Sequence, residues 1–143
     1  MKKSFTIVEI LVVVTIMSLL ASIAAVSYSR FIKQSRDTRR KTDIENIRAA
    51  IELYRNFKGV YPTAGMNFGT GEIADIEPPT PTIQYMSKIP QDPLPTPYTY
   101  YYAVAGGQDY TLCAYMEGGD STSISASCGV SNCNYCMGPY GKK

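Results

Sequence analysis

The 143-residue chain contains no histidine and no tryptophan. Without histidine it lacks the side chain most often used as general acid or base near neutral pH. Its Ser, Asp, Glu and Lys residues form no recognisable catalytic grouping. Gly69-Thr70-Gly71 lacks both the Lys and the following helix of a phosphate-binding loop. Neither an enzyme nor a cofactor is expected. Proline and glycine are missing between Tyr28 and Lys58, and charge is nearly missing from Phe5 to Val26, where Glu9 is the lone ionisable side chain. These gaps leave room for a membrane segment continuing into a long helix.

What is present follows the same logic. FTIVEILVVVTIMSLLASIAAV, Phe5 to Val26, is long enough to cross a bilayer, since about 20 apolar residues at 1.5 Å each span a core of roughly 30 Å. A carboxylate inside such a run must be paired, protonated or drawn to the interface. The preceding Met1-Lys2-Lys3-Ser4 is basic and ends in a small residue. A secretory signal would instead place its small-residue cleavage site after the apolar run, near Ser22 to Ala25.

With that inversion, Ser4-Phe5-Thr6-Ile7-Val8-Glu9 resembles the class III signal of type IV pilins and of type II secretion pseudopilins. The resemblance implies cutting between Ser4 and Phe5 by a prepilin peptidase, with N-methylation of the new Phe5 amine. Ser4 stands where Gly is usual. It also implies that Glu9, fifth in the mature chain, meets the Phe5 amine of an adjacent subunit during filament assembly. The alternative is an interfacial Glu on an ordinary membrane anchor.

Beyond the apolar run, Ile44, Ile47, Ile51 and Tyr54 recur at helical spacing as one apolar stripe, which Phe57 can extend. Lys58 and then Gly59 read as a last turn and a left-handed cap. A helix from Phe5 to Phe57 would be roughly 80 Å long, apolar all round at first and one-sided afterwards. Residues 64–97 are rich in Gly, Pro and Thr and read as an irregular loop with a short turn around Ile83 to Lys88, anchored by Ile73, Ile76, Ile83, Tyr85, Met86 and Ile89. Tyr61-Pro62 and Ile89-Pro90-Gln91-Asp92-Pro93 are similar to the corresponding stretch of major pseudopilins.

Tyr98 to Val104 and Asp109 to Met116 read as strands of a hairpin turning at Gly106-Gly107. The faces Tyr98, Tyr100, Tyr102, Val104 and Tyr110, Leu112, Ala114, Met116 are expected to cover the helix stripe. The tyrosines read as fillers of a half-buried sheet ahead of a sugar- or surface-binding role. Ser121 to Ser127 is a candidate edge strand. The expected fold is α+β: a long N-terminal helix against a small antiparallel sheet. Its segments are a leader (1–4), the transmembrane and assembly half of the helix (5–28), the amphipathic half (29–58), the loop (59–97), the hairpin (98–116) and a cysteine-containing tail (117–143).

The four cysteines are Cys113, Cys128, Cys133 and Cys136. Together they can ligate one zinc ion, but in an exported domain two disulfides are expected. Three pairings are open, and if both bridges form one must tie the tail to the strand through Cys113. Some major pseudopilins hold calcium in this region. Here Glu117 and Asp120 are the only acids after Asp109, so no metal site is expected.

Charge is unevenly placed. Residues 30–58 carry nine cations and four acids, and residues 59–143 carry three cations and seven acids. Complementary contacts between stacked copies are one reading, and a solvated helix face is the other. The cations after the apolar run also oppose the positive-inside rule. The pilin-like signal and the cysteines override that bias: the precursor is expected in the inner membrane, N-terminus inside, with the filament outside the cell or at its surface. The functional expectation is a structural pilin of a type IV pilus-like filament. The alternatives are a major pseudopilin of type II secretion, or a competence-type pilin contacting DNA phosphates through Arg36, Arg39, Arg40 and Lys41. Expected partners are copies of the same chain, the peptidase, the membrane and its assembly machinery.

Overall fold

A computed structural model describes residues 6–63, 65–75, 83–122 and 124–143. The expected cut between Ser4 and Phe5 lies outside the described residues, as does Ile76. Among the described residues the secondary structure is one helix, α1 (Ile7–Lys58), and six strands: β1 (Ile73–Asp75), β2 (Ile83–Met86), β3 (Tyr101–Ala105), β4 (Asp109–Ala114), β5 (Tyr135–Gly138) and β6 (Gly141–Lys142). The fold is α+β and pilin-like. The chain forms two compact units, Met1–Ser35 and Arg36–Lys143.

In the first unit Thr6 caps α1. Its hydroxyl accepts from the Glu9 amide at 3.3 Å and its carbonyl from the Ile10 amide at 3.3 Å. Ile7, Leu11, Val14, Met17, Leu20 and Ile23 are all exposed, the pattern of a helix whose solvent is hydrocarbon or other helices. The hydroxyls of Thr15, Ser18 and Ser22 donate to the carbonyls of Val12, Val14 and Ser18, so none requires water.

In the second unit α1 ends where expected. Gly59 adopts φ +77°, a left-handed conformation that an L side chain rarely takes, and its amide closes on the Arg55 carbonyl at 2.7 Å. The other demanding turn joins β3 to β4, where Gly106 and Gly107 have φ +62° and +74°. β3 and β4 pair antiparallel from Tyr101↔Cys113 to Ala105↔Asp109, and the sheet order is β3-β4-β5-β6.

One face of this sheet closes over the helix. Ile44, Ile47, Ala50 and Ile51 share a core with Tyr61, Ile73, Ile89, Tyr100, Tyr110, Leu112, Ala114, Met116 and Met137. Full burial of an Ile or Leu side chain contributes about 1.5–3 kcal/mol, so the three stripe isoleucines alone outweigh any single surface contact. Tyr54 flanks this core. Phe57 does not extend it: 65% of Phe57 is exposed, and its ring lies tilted against Tyr85.

Three further expectations are corrected. Ile83–Met86 is a strand, not a turn, pairing with β1 across a bulge between Ile73 and Ala74. Tyr98 lies before β3 and bridges Gly129. The described residues of 121–127 are not an edge strand. Ser127 makes only an isolated bridge to Asn132, and the sheet is extended by β5 and β6 further along. Backbone groups on the open side of β4 must be paired, and β5 pairs them through Leu112↔Met137, Cys113↔Cys136 and Ala114↔Tyr135.

The stripe's contribution is measurable. Ile47→Ala should destabilise the full chain in detergent micelles by about 2–5 kcal/mol in denaturant titration. Phe57→Ala should cost less than about 1 kcal/mol by the same measure, given its exposure.

Candidate assembly site

The sequence signals for assembly converge on α1. Glu9 is exposed in its first turn, and no cation pairs with it among the described residues. The helix start favours a carboxylate here, because the first-turn amides carry partial positive charge. The partner expected from the resemblance, the Phe5 amine of a neighbouring copy, lies outside the described residues.

The polar centre of the second unit is Arg40, the only fully buried cation among the described residues. The helix positions it by period: Arg40 precedes Ile44, Ile47 and Ile51 on the same stripe, at spacings of four, three and four. Its Nε and Nη2 donate to Asp92 Oδ2 and Oδ1 at 2.8 and 3.0 Å, while Nη1 donates to Asp37 at 2.9 Å and Glu117 at 3.0 Å. The fork–fork pair with Asp92 has both side chains at 0% exposure. Asp92 Oδ1 also accepts the Leu94 amide at 2.8 Å, and Asp37 accepts the amides of Glu117 and Gly118 at 2.9 and 2.7 Å. Arg36 completes the cluster, donating from Nε and Nη2 to the two Glu117 oxygens at 2.6 and 2.5 Å.

This arrangement ties three segments together: the helix, the loop before β3 and the turn after β4. Burial pushes the Arg40 guanidinium towards losing its charge. Asp92 foremost, then Glu117 and Asp37, outweighs that and raises it above its ordinary value. Glu117 is held below its ordinary value of 4.5, chiefly by the Arg36 hydrogen bonds, with Arg40 adding to them.

The arginine-to-DNA reading is therefore corrected at two of its four residues. Arg40 has no surface to offer a phosphate, and Arg36 is spent on Glu117. Arg39 and Lys41 remain 67% and 51% exposed, each with an acid (Asp43 and Asp120) at 4.0 Å. Part of the charge asymmetry is satisfied within the second unit, since Lys58 pairs with Asp75 at 2.8 Å in addition to the Arg36 and Arg40 contacts.

All four cysteines are oxidised: Cys113 to Cys136 directly across β4 and β5, and Cys128 to Cys133 within the tail. The zinc alternative thus has no thiolates left. Tyr100 and Tyr110 are held by helix carboxylates. Tyr100 donates to Asp43 at 2.8 Å and Tyr110 to Glu52 at 3.1 Å, and burial, reinforced by those carboxylates, raises both phenols. Tyr61 lies edge-on to Tyr110, so the aromatic layer is core.

Sequence reasoning missed Asp37, Asp92 and Glu117 as partners of Arg40. The available signal was Arg40 itself, a cation in register with an apolar stripe. Arg40→Ala should cost about 3–5 kcal/mol in unfolding experiments, because it strands buried Asp92. The pair replacement Arg40→Met with Asp92→Leu should recover part of that loss. Glu117 adds an acid sensitivity of definite sign. With its folded pKa depressed, its contribution is complete above about pH 4.5 and lost as pH falls through the folded value. Asp43, raised by burial, acts in the opposite direction. Thermal melts from pH 7 to 3 should therefore fall less steeply for Glu117→Gln than for the natural chain.

Comparison with known proteins places the sequence. The family described as type II secretion system protein G matches residues 28–132, and the prokaryotic N-terminal methylation motif matches residues 1–25. The type II secretion system core protein G of Pseudomonas aeruginosa is 32% identical over 127 residues, covering 83% of this chain and 84% of that protein. No solved structure matches. With one family spanning most of the helix and sheet and a relative aligned along most of both chains, this chain belongs to the type II secretion system protein G family.

Proposed function

We propose that the chain is a non-catalytic structural subunit of a helical filament, made as a single-pass inner-membrane precursor. A prepilin peptidase would cut it between Ser4 and Phe5, and the new amine would be methylated. The mature chain would polymerise through the apolar part of α1, with Glu9 of one copy meeting the Phe5 amine of its neighbour. The observation that carries this reading is an α1 that leaves its apolar residues exposed from Ile7 to Ile23 while continuing into a fully packed core. Lipid can cover those residues before assembly and neighbouring helices afterwards, so the exchange is close to neutral for apolar contact and the carboxylate–amine pair supplies register.

The segments follow accordingly: leader 1–4, membrane and assembly half 5–28, amphipathic half 29–58, then loop, hairpin and tail. A pseudopilus of a type II secretion system is supported by the match to protein G over residues 28–132. A type IV pilus-like filament is supported by the N-terminal motif, which both filament types share. DNA contact is retained only for Arg39 and Lys41.

Intact mass of the filament fraction should show loss of Met1 to Ser4, one added methyl and four missing hydrogens, the last from two disulfides. An unprocessed chain confined to the membrane would overturn the proposal. Glu9→Ala should remain membrane-inserted but yield no filaments. In a deletion strain, loss of protein export without loss of surface pili would identify the secretion filament, and the reverse result the pilus.

A further inference from the structure

Four exposed side chains in the first unit, Tyr28, Arg30, Phe31 and Lys33, have no role in the assembly described above. Twenty uncharged residues separate Glu9 from Arg30. At 1.5 Å per residue they span about 30 Å, the thickness of the hydrocarbon core. If Glu9 sits at one interface, Tyr28 to Lys33 fall at headgroup depth on the other. At 100° per residue, Tyr28 and Phe31 share one face and Arg30 and Lys33 the opposite one. Aromatic rings and cations are the side chains that settle at this level of a bilayer.

The two cations also lack anions. No acid occurs between Glu9 and Asp37 in the sequence. Within the first unit, neither Arg30 nor Lys33 forms an ion pair among the described residues. By contrast, Arg36, Arg40, Lys41 and Lys58 each have a carboxylate within 4.0 Å in the second unit. A basic pair beyond an exported span is what the positive-inside rule disfavours, so its presence there calls for an anion supplied from outside the chain.

We propose that Arg30 and Lys33, flanked by Tyr28 and Phe31, form a collar that binds anionic phospholipid headgroups in the leaflet at the C-terminal end of the span. The proposal rests on the reading of residues 5–28 as the membrane half. The collar fixes the height of the unassembled subunit and, through the rigid helix, the depth at which Glu9 waits in the other leaflet.

The test uses the full chain reconstituted in phosphatidylcholine bilayers with trace spin-labelled phosphatidylglycerol or phosphatidylcholine. The readout is the fraction of each label immobilised by the protein. At low salt, phosphatidylglycerol should be preferred by roughly fivefold or more, the strength of one Lys or Arg near an anionic surface. The preference should fall towards unity in Arg30→Gln/Lys33→Gln, and also in 1 M salt, where screening acts over about 3 Å. Immobilised phosphatidylcholine should be unchanged, since it reports the span itself. No preference, or an equal preference in the variant, would overturn the collar while leaving the span intact. No immobilised lipid of either kind would overturn both. Loss of the preference on adding duplex DNA at matched phosphate would overturn the lipid assignment in favour of a general polyanion surface.

Discussion

A guanidinium with no exposed surface must find its hydrogen-bond partners inside the protein, and Arg40 organises the second unit around that requirement. Four of its bonds go to three carboxylates from three separate segments. The helix contributes Asp37, the Pro-flanked loop contributes Asp92, and the turn after β4 contributes Glu117. Such a cluster is a poor source of net stability, because desolvation offsets most of the attraction. Its effect is on geometry. Any packing of helix, loop and sheet that leaves one of these oxygens behind would bury an unmatched charge, so competing arrangements of the same apolar residues are disfavoured.

The tyrosine layer works by the same division of labour. The isoleucine stripe supplies unselective apolar area, and a sheet can slide over it at modest cost. The phenol hydroxyls cannot slide, because Tyr100 must reach Asp43 and Tyr110 must reach Glu52 across the helix–sheet interface. Asp43 and Glu52 flank the stripe, on helix positions that composition alone would assign to solvent. Tyrosine suits this interface because each ring adds area to the core and each hydroxyl fixes a register.

How far the sequence disclosed this structure depends on the range of the interaction concerned. Local rules sufficed for the helix, its Gly59 cap, the apolar stripe and the Gly106-Gly107 turn, since each is set by neighbours a few residues away. They failed for β1, β2, β5 and β6. Ile73–Asp75 and Tyr135–Gly138 are too short to show alternation, and the backbone groups that Tyr135–Gly138 satisfies belong to a strand more than a dozen residues earlier, with no tight turn between them to mark the pairing. The partners of Arg40 are invisible for the same reason, Asp92 and Glu117 lying 52 and 77 residues away. Arg40 itself was legible: its place on the stripe marked it as buried, and a buried arginine obliges carboxylates to come to it. Reading it with Arg36, Arg39 and Lys41 as a surface patch grouped residues by sequence adjacency, although on a helix adjacent residues point different ways.

That distinction also resolves the charge pattern after the apolar run. Counting cations treats all nine between residues 30 and 58 as equivalent signals for a cytoplasmic location. The fold divides them. Arg36, Arg40 and Lys58 are consumed by Glu117, Asp92 and Asp75, acids that lie beyond the helix in sequence and that a loop-charge count weighs little. Once folded, these pairs present little charge to a membrane. Arg30 and Lys33 are not consumed in their own unit, and under the proposed membrane span they fall at the height where lipid phosphates begin. The topological conflict therefore narrows from nine cations to six, and under the proposed membrane span two of those, Arg30 and Lys33, fall where the bilayer itself can neutralise them.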